Sequence, residues 1–113
     1  MILELEKEKI SARFSLRLDL NYSPISRYEQ IPREDQEDLI SGDAAFFAIF
    51  VEANCSGEIY HFISQGMIMS LDEEDREEEF EAFVSSEGGL FDDIITRLKV
   101  WTNEAGDKPR WSI

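Results

Sequence analysis

Residues Ala44 to Ala53 read AAFFAIFVEA, and whether this run is a strand or a buried helix decides the fold. It is apolar on both alternating faces, with Phe47, Ile49 and Val51 on one and Phe46, Ala48 and Phe50 on the other. Such a run fits a central strand or a buried helix. Its Phe and β-branched content, its length and the turn-forming NCSGE of 54–58 favour a strand that returns as a hairpin through Ile59 to Ser64. The buried helix is the alternative that periodicity alone leaves open. Gly66 then interrupts, so Met67, Ile68 and Met69 read either as the same strand continued past a bulge or as a separate edge piece.

Outward toward the N-terminus, Pro32 suits the first turn of a helix. The acids Glu34, Asp35, Glu37 and Asp38 suit its positive end, and Gly42 suits its stop, which predicts a short helix over 32–41. Upstream, Ala12, Phe14, Leu16, Leu18 and Leu20 alternate with Arg13, Ser15, Arg17 and Asp19, the signature of a half-buried strand. Ile2 to Ile10 alternates more loosely and either extends that strand or forms a separate flap. Asn21 to Pro32 reads as a loop returning Tyr22, Tyr28 and Ile31 toward the core.

Outward toward the C-terminus, Ser70 and Glu73 form an S-x-x-E capping box, predicting a helix from Leu71. Asp72 to Glu79 contains no apolar residue, so the packing face of that helix begins only at Phe80, Phe83 and Val84. After Gly88-Gly89, Phe91, Ile94, Ile95, Leu98 and Trp101 recur at helical spacing and predict a last helix packed on the sheet, with Asp93 four residues before Arg97 as a surface pair. The tail from Asn103 is polar, with Gly106 and Pro109, and ends on Trp111 and Ile113. The expected architecture is one α+β domain over 1–113. It has a small antiparallel sheet of three to four strands, a short helix after the first strand, and two C-terminal helices packed mainly on one face.

Composition supports a compact chain. Of 113 residues 42% are hydrophobic, including 8 Phe, and a chain of this length buries roughly two thirds of its unfolded surface. Phe46, Phe47, Phe50, Phe62, Phe80, Phe83 and Phe91 all fall at periodic positions and are expected in the core. The start carries no basic segment leading into an apolar stretch of signal length, and the longest apolar run is that from Ala44 to Val51. The single Cys55 excludes an internal disulfide framework. A cytoplasmic location, in a cell or an infected host, is therefore expected.

Charge is the second informative feature. The chain carries 25 acidic and 11 basic residues, a net −14. Asp72 to Asp93 alone holds eleven acids and one base, Arg76, while Glu29 to Asp43 holds six acids and one base, Arg33. Such a balance disfavours binding to nucleic acid or an anionic membrane, which needs cations to displace counterions. It favours encounter with a basic protein, in a salt-sensitive way.

The helix from Asp72 to Glu81 carries net −7 over roughly 15 Å, one charge per ~2 Å, close to the ~1.7 Å spacing along duplex DNA. Acids at a helix start are stabilised by its dipole, but that effect fades within one turn and this run continues beyond two. The expectation is a non-enzymatic inhibitor or antidote that binds a basic, nucleic-acid-binding protein as a phosphate mimic, of anti-defence or immunity type. Asp72, Glu73, Glu74, Asp75, Glu77, Glu78 and Glu79 would make the contact, with Glu34, Asp35, Glu37 and Asp38 as a second surface. The competing reading is a structural or assembly subunit with an apolar homo-oligomer interface around Trp111, Ile113 and Tyr22, its charge serving solubility alone.

Chemistry-bearing motifs are sparse. DEEDREEEFEAF has neither the spacing nor the glycine of a calcium loop. One His and one Cys do not make a zinc site, and Glu58 with His61 is the sole Glu-x-x-His. Cys55 and His61 flank the predicted hairpin turn and could approach one another as a small hydrolase requires. Against that, His61 alternates with Ile59 and Ile63, on an apolar face where histidines pack rather than react. No metal, cofactor or catalytic residue is expected.

Overall fold

The structure, a computed structural model, describes residues 1–19 and 30–105. Leu20, Tyr22, Tyr28, Trp111 and Ile113 lie outside the described residues, and so does the oligomer contact expected of Tyr22, Trp111 and Ile113. The order is β1 (Ile2–Lys7), β2 (Ile10–Leu18), α1 (Arg33–Ser41), β3 (Ala44–Cys55), β4 (Glu58–Ser70), α2 (Glu73–Ser85) and α3 (Leu90–Ala105). The four strands form one antiparallel sheet in sequence order.

The deciding run is a strand. In β3 the residues Phe47, Ile49, Val51 and Ala53 are buried on one face, where they meet β2 through the pairs Phe14 with Val51 and Leu16 with Ile49. Opposed residues of an antiparallel pair point to the same face. The alternation of β2 therefore delivers Ile10, Ala12, Phe14 and Leu16 to the same core, and all four are buried.

The first helix follows the second strand rather than the first, because Ile2–Lys7 is a strand of its own. It pairs with β2 from Ile2 against Ser15 to Lys7 against Ile10. The turn between them holds Glu8 at φ 54° and Lys9 at φ 66°. A two-residue hairpin turn of type I′ requires this left-handed pair, usually supplied by Asn or Gly, and neither residue announces it in the sequence. The second hairpin uses Ser56 at φ 55° and Gly57 at φ 82°, a turn that the sequence does announce.

Gly66 marks a bulge within one long strand. Phe47 pairs with Met67 and Ile49 with Ser64, so Ala48 alone faces Gln65 and Gly66. Gly66 takes φ 74° there, a conformation that costs glycine little.

α2 and α3 close one face of the sheet. Phe80 and Val84 from α2 join Phe91, Ile94, Ile95 and Leu98 from α3 over the strand residues. Phe91 meets Phe14 edge to face at 5.7 Å. Trp101, 40% exposed, stacks on Phe62 at 5.8 Å with its ring 16° from parallel. The helices need only supply these side chains, so the remainder of α2 is free to be charged.

Three local expectations change. The N-cap of α2 is Asp72, whose Oδ2 accepts from the Asp75 N–H at 3.1 Å. Ser70 instead ends β4, and its Oγ accepts from the Asp72 N–H at 3.1 Å, so the helix starts at Glu73 rather than Leu71. Pro32 is the residue before α1 rather than part of its first turn. Phe46 and Phe50 are only half-buried and lie on the sheet face opposite the main core, where the Arg17 guanidinium sits 4.7 Å over the Phe50 ring. An apolar run with two apolar faces puts half of its side chains on each face of the sheet.

Candidate functional site: an acidic cleft between two helices

The site arises from how β3 and β4 pair. Ala44 lies opposite Ser70, and one step further out the Leu71 N–H donates to the Asp43 carbonyl at 2.8 Å. The chain entering β3 and the chain leaving β4 are thus held side by side. Just before that point α1 ends on Gly42 at φ 85°, and the Asp43 N–H donates to the Asp38 carbonyl at 2.9 Å. Just after it, Asp72 starts α2.

A cleft of about 480 Å³ lies between these helices, lined by Asp35 and Asp38 of α1, by Asp43, and by Asp75, Glu78 and Glu79 of α2. Its floor is the end of the hairpin, Ala44, Ile68, Met69 and Ser70. Asp35 is half-buried, and the other five acids are exposed. Two of the carboxylates are oriented locally. Glu79 accepts from the Ser70 N–H at 3.1 Å, and Asp43 accepts from the Ser41 hydroxyl at 2.9 Å.

Among the described residues, none of the six carboxylates makes a salt bridge. The one base in α2, Arg76, turns to the strand end. Its Nη1 donates to the Leu71 carbonyl at 3.0 Å and the Ser70 carbonyl at 3.4 Å, and its guanidinium lies 5.5 Å from the Phe47 ring centre. Arg33, the base of α1, pairs with the exposed Glu37 at 3.4 Å.

Of the acids named from sequence, Asp35, Asp38, Asp75, Glu78 and Glu79 line the cleft, whereas Glu34, Glu37, Glu73, Glu74 and Glu77 do not and Asp72 is occupied as a cap. Asp43 joins them; it belongs to the second acidic segment but is not among the contact residues named from sequence.

The chemistry considered at the second hairpin is not assembled. Cys55 pairs with Glu58, and His61 with Glu52. Counting alternation from these pairs puts Cys55 and His61 on opposite faces of the sheet. The pairing of Val51 with Phe62 turns Phe62 toward the core. The apolar face that His61 shares with Ile59 and Ile63 is therefore the solvent-facing one, and the His61 side chain is 74% exposed with Nε2 3.9 Å from Glu52. Among the described residues, no three His, Cys, Asp or Glu side chains are grouped to hold a metal ion, and no helix is long and apolar enough to cross a membrane.

Compared with protein-family models, with curated proteins and with solved structures, the chain matches none, so the geometry of the cleft carries the functional reading by itself.

Proposed function

We propose that the protein is a non-enzymatic inhibitor or antidote that binds a basic, nucleic-acid-binding protein through the α1–α2 cleft. The partner class is a DNA- or RNA-handling complex of host defence, or a basic nuclease toxin. One observation carries this reading: six carboxylates from two separate acidic segments line a single cleft, and among the described residues none of them makes a salt bridge. Asp75 and Glu79 are four residues apart on α2, and Asp35 and Asp38 three apart on α1. Like charges at these spacings cost about 0.2–0.5 kcal/mol per pair. The helix dipole offsets this for Asp75 in the first turn but not for Glu78 and Glu79 beyond it. A surface needed only for solubility gains nothing from concentrating that repulsion, whereas a phosphate-like face for Arg and Lys side chains does.

The test compares two charge-reversal variants in affinity capture from the native cell or host lysate, followed by assay of the captured partner's nucleic-acid binding. Asp38→Lys with Glu78→Lys alters the cleft, and Glu73→Lys with Glu77→Lys alters the other side of α2. The expected result is that wild type captures a basic partner, releases it as salt rises and blocks its nucleic-acid binding. The cleft variant loses all three, and the outer variant loses less. Capture that ignores salt, or that survives the cleft variant undiminished, rejects the proposal.

A further inference from the structure

The two edges of the sheet are unlike. β1 forms one edge and carries Glu4, Glu6 and Lys7, charges that discourage another strand from adding. Among the described residues β4 forms the other, and from Ile59 to Ser70 it has no Asp, Glu, Lys or Arg in a chain that is 32% charged. Ile59 and Ile63, 55% and 58% exposed, stand on its solvent face, and Phe62 with the stacked Trp101 stands half-buried on its helix face. The nearest charges on the helix side, Asp93 and Arg97, neutralise one another at 3.1 Å. An uncharged strand edge with exposed apolar side chains on its solvent face is a template for strand addition.

We infer that β4 pairs antiparallel with β4 of a second copy of this chain, about a two-fold axis at His61, joining two sheets into one of eight strands. Antiparallel self-pairing is the two-fold, closed arrangement. A centre at His61 sets Ile59 against the partner's Ile63, and Tyr60 against the partner's Phe62. The sole acid of the segment, Glu58, then falls opposite Ser64 of the partner subunit, so no like charges meet. Moving the centre to Phe62 would set Ile59 against Gln65 of the partner subunit and lose both isoleucine pairs. The bulge at Gln65 and Gly66 ends the pairing beyond Ser64.

The acidic clefts do not oppose this. The cleft floor at Ser70 is nine residues from the axis, about 30 Å at ~3.3 Å per residue, so the two clefts stand roughly 60 Å apart. That is several times the ~8 Å screening length at physiological ionic strength. The seam is separate from the cleft and does not depend on its function.

Sedimentation equilibrium on the full chain tests the assembly. Wild type is expected to approach twice the 13.1 kDa chain mass as concentration rises. Ile59→Lys with Ile63→Lys, which sets lysine against lysine across the axis, is expected to weaken association at least tenfold. Both positions are more than half exposed, so circular dichroism should remain that of wild type. A second measurement does not depend on that variant folding. In a Cys55→Ser background, a short thiol–thiol cross-linker should join His61→Cys into a covalent dimer, since directly opposed Cβ atoms lie about 4.5–5.5 Å apart, and should not join Glu4→Cys on the β1 edge. A monomer at every concentration, a dimer indifferent to the two lysines, or cross-linking at Glu4 and not at His61 overturns the inference. Cleft variants that lose their partner yet keep the dimer mass would separate this result from the function of the cleft.

Discussion

The N–H of Leu71 donates to the carbonyl of Asp43 at 2.8 Å, and this bond extends the β3–β4 ladder one step beyond Ala44 and Ser70. It clamps the end of α1 against the start of α2. The two acidic segments meet because a hairpin sets the element before its first strand beside the element after its second.

Because the cleft carboxylates repel across that junction, added salt should stabilise the fold. Raising sodium chloride from about 0.01 M to about 0.15 M shortens the screening length from about 30 Å to about 8 Å. The urea midpoint should rise over that range. Glu78→Gln removes three helical like-charge pairs, with Glu74, Asp75 and Glu81, so it should raise the low-salt stability by about 0.6–1.5 kcal/mol and should blunt the salt response. A midpoint that falls as salt is added would contradict this.

The α2 cap separates two residues that look equivalent in sequence. Asp72→Ala removes the acceptor for the Asp75 N–H and should cost about 1 kcal/mol. Ser70→Ala removes an acceptor that serves the Asp72 N–H, outside the helix, and should cost less. Chemical denaturation of the two variants decides, and the reverse order would move the cap back to Ser70.

Gly89 is required by space. A Cβ added there would lie 2.6 Å from the Phe83 carbonyl oxygen and 2.8 Å from that of Ser86, both backbone atoms. Gly89→Ala should therefore shift the α2–α3 connection and cost about 1–3 kcal/mol, as overpacking does. Stability equal to wild type would show that the connection relaxes freely.

Asp92 should give the acid limb of the stability curve part of its slope. The Gly88 N–H donates to Oδ2 at 2.8 Å, and Lys7 bonds Oδ1 at 3.3 Å. The Gly88 bond first, and the lysine second, hold this carboxyl below the ordinary value of 3.8. A carboxyl lowered on folding adds stability that is fully present above its unfolded value and is lost as pH falls through its folded one. Asp92→Asn should thus be less stable than wild type at neutral pH, with the gap closing in acid. A gap independent of pH would assign the loss to shape rather than charge.

Much of the fold was legible locally. The alternation of Ala12 to Leu18, the turn at Ser56-Gly57 and the 3.6 spacing from Phe91 to Leu98 are each short-range consequences of side-chain direction. The hairpin at Glu8-Lys9 was not, since nothing in those residue types asks for two left-handed positions. Nor was the outward face of His61. Alternation separates the two faces of a strand but does not say which one the helices cover, and that was decided by the register of Val51 against Phe62.

The same division holds for the acids. That the negative charge is concentrated in two segments, and that the first two turns of α2 have nothing to bury, can be read from neighbouring residues alone. That Asp35, Asp38 and Asp43 face Asp75, Glu78 and Glu79 is a result of folding. That depends on the pairing of Ala44 with Ser70, a contact between residues distant in the chain whose formation is driven by the apolar strands rather than by the acids they bring together.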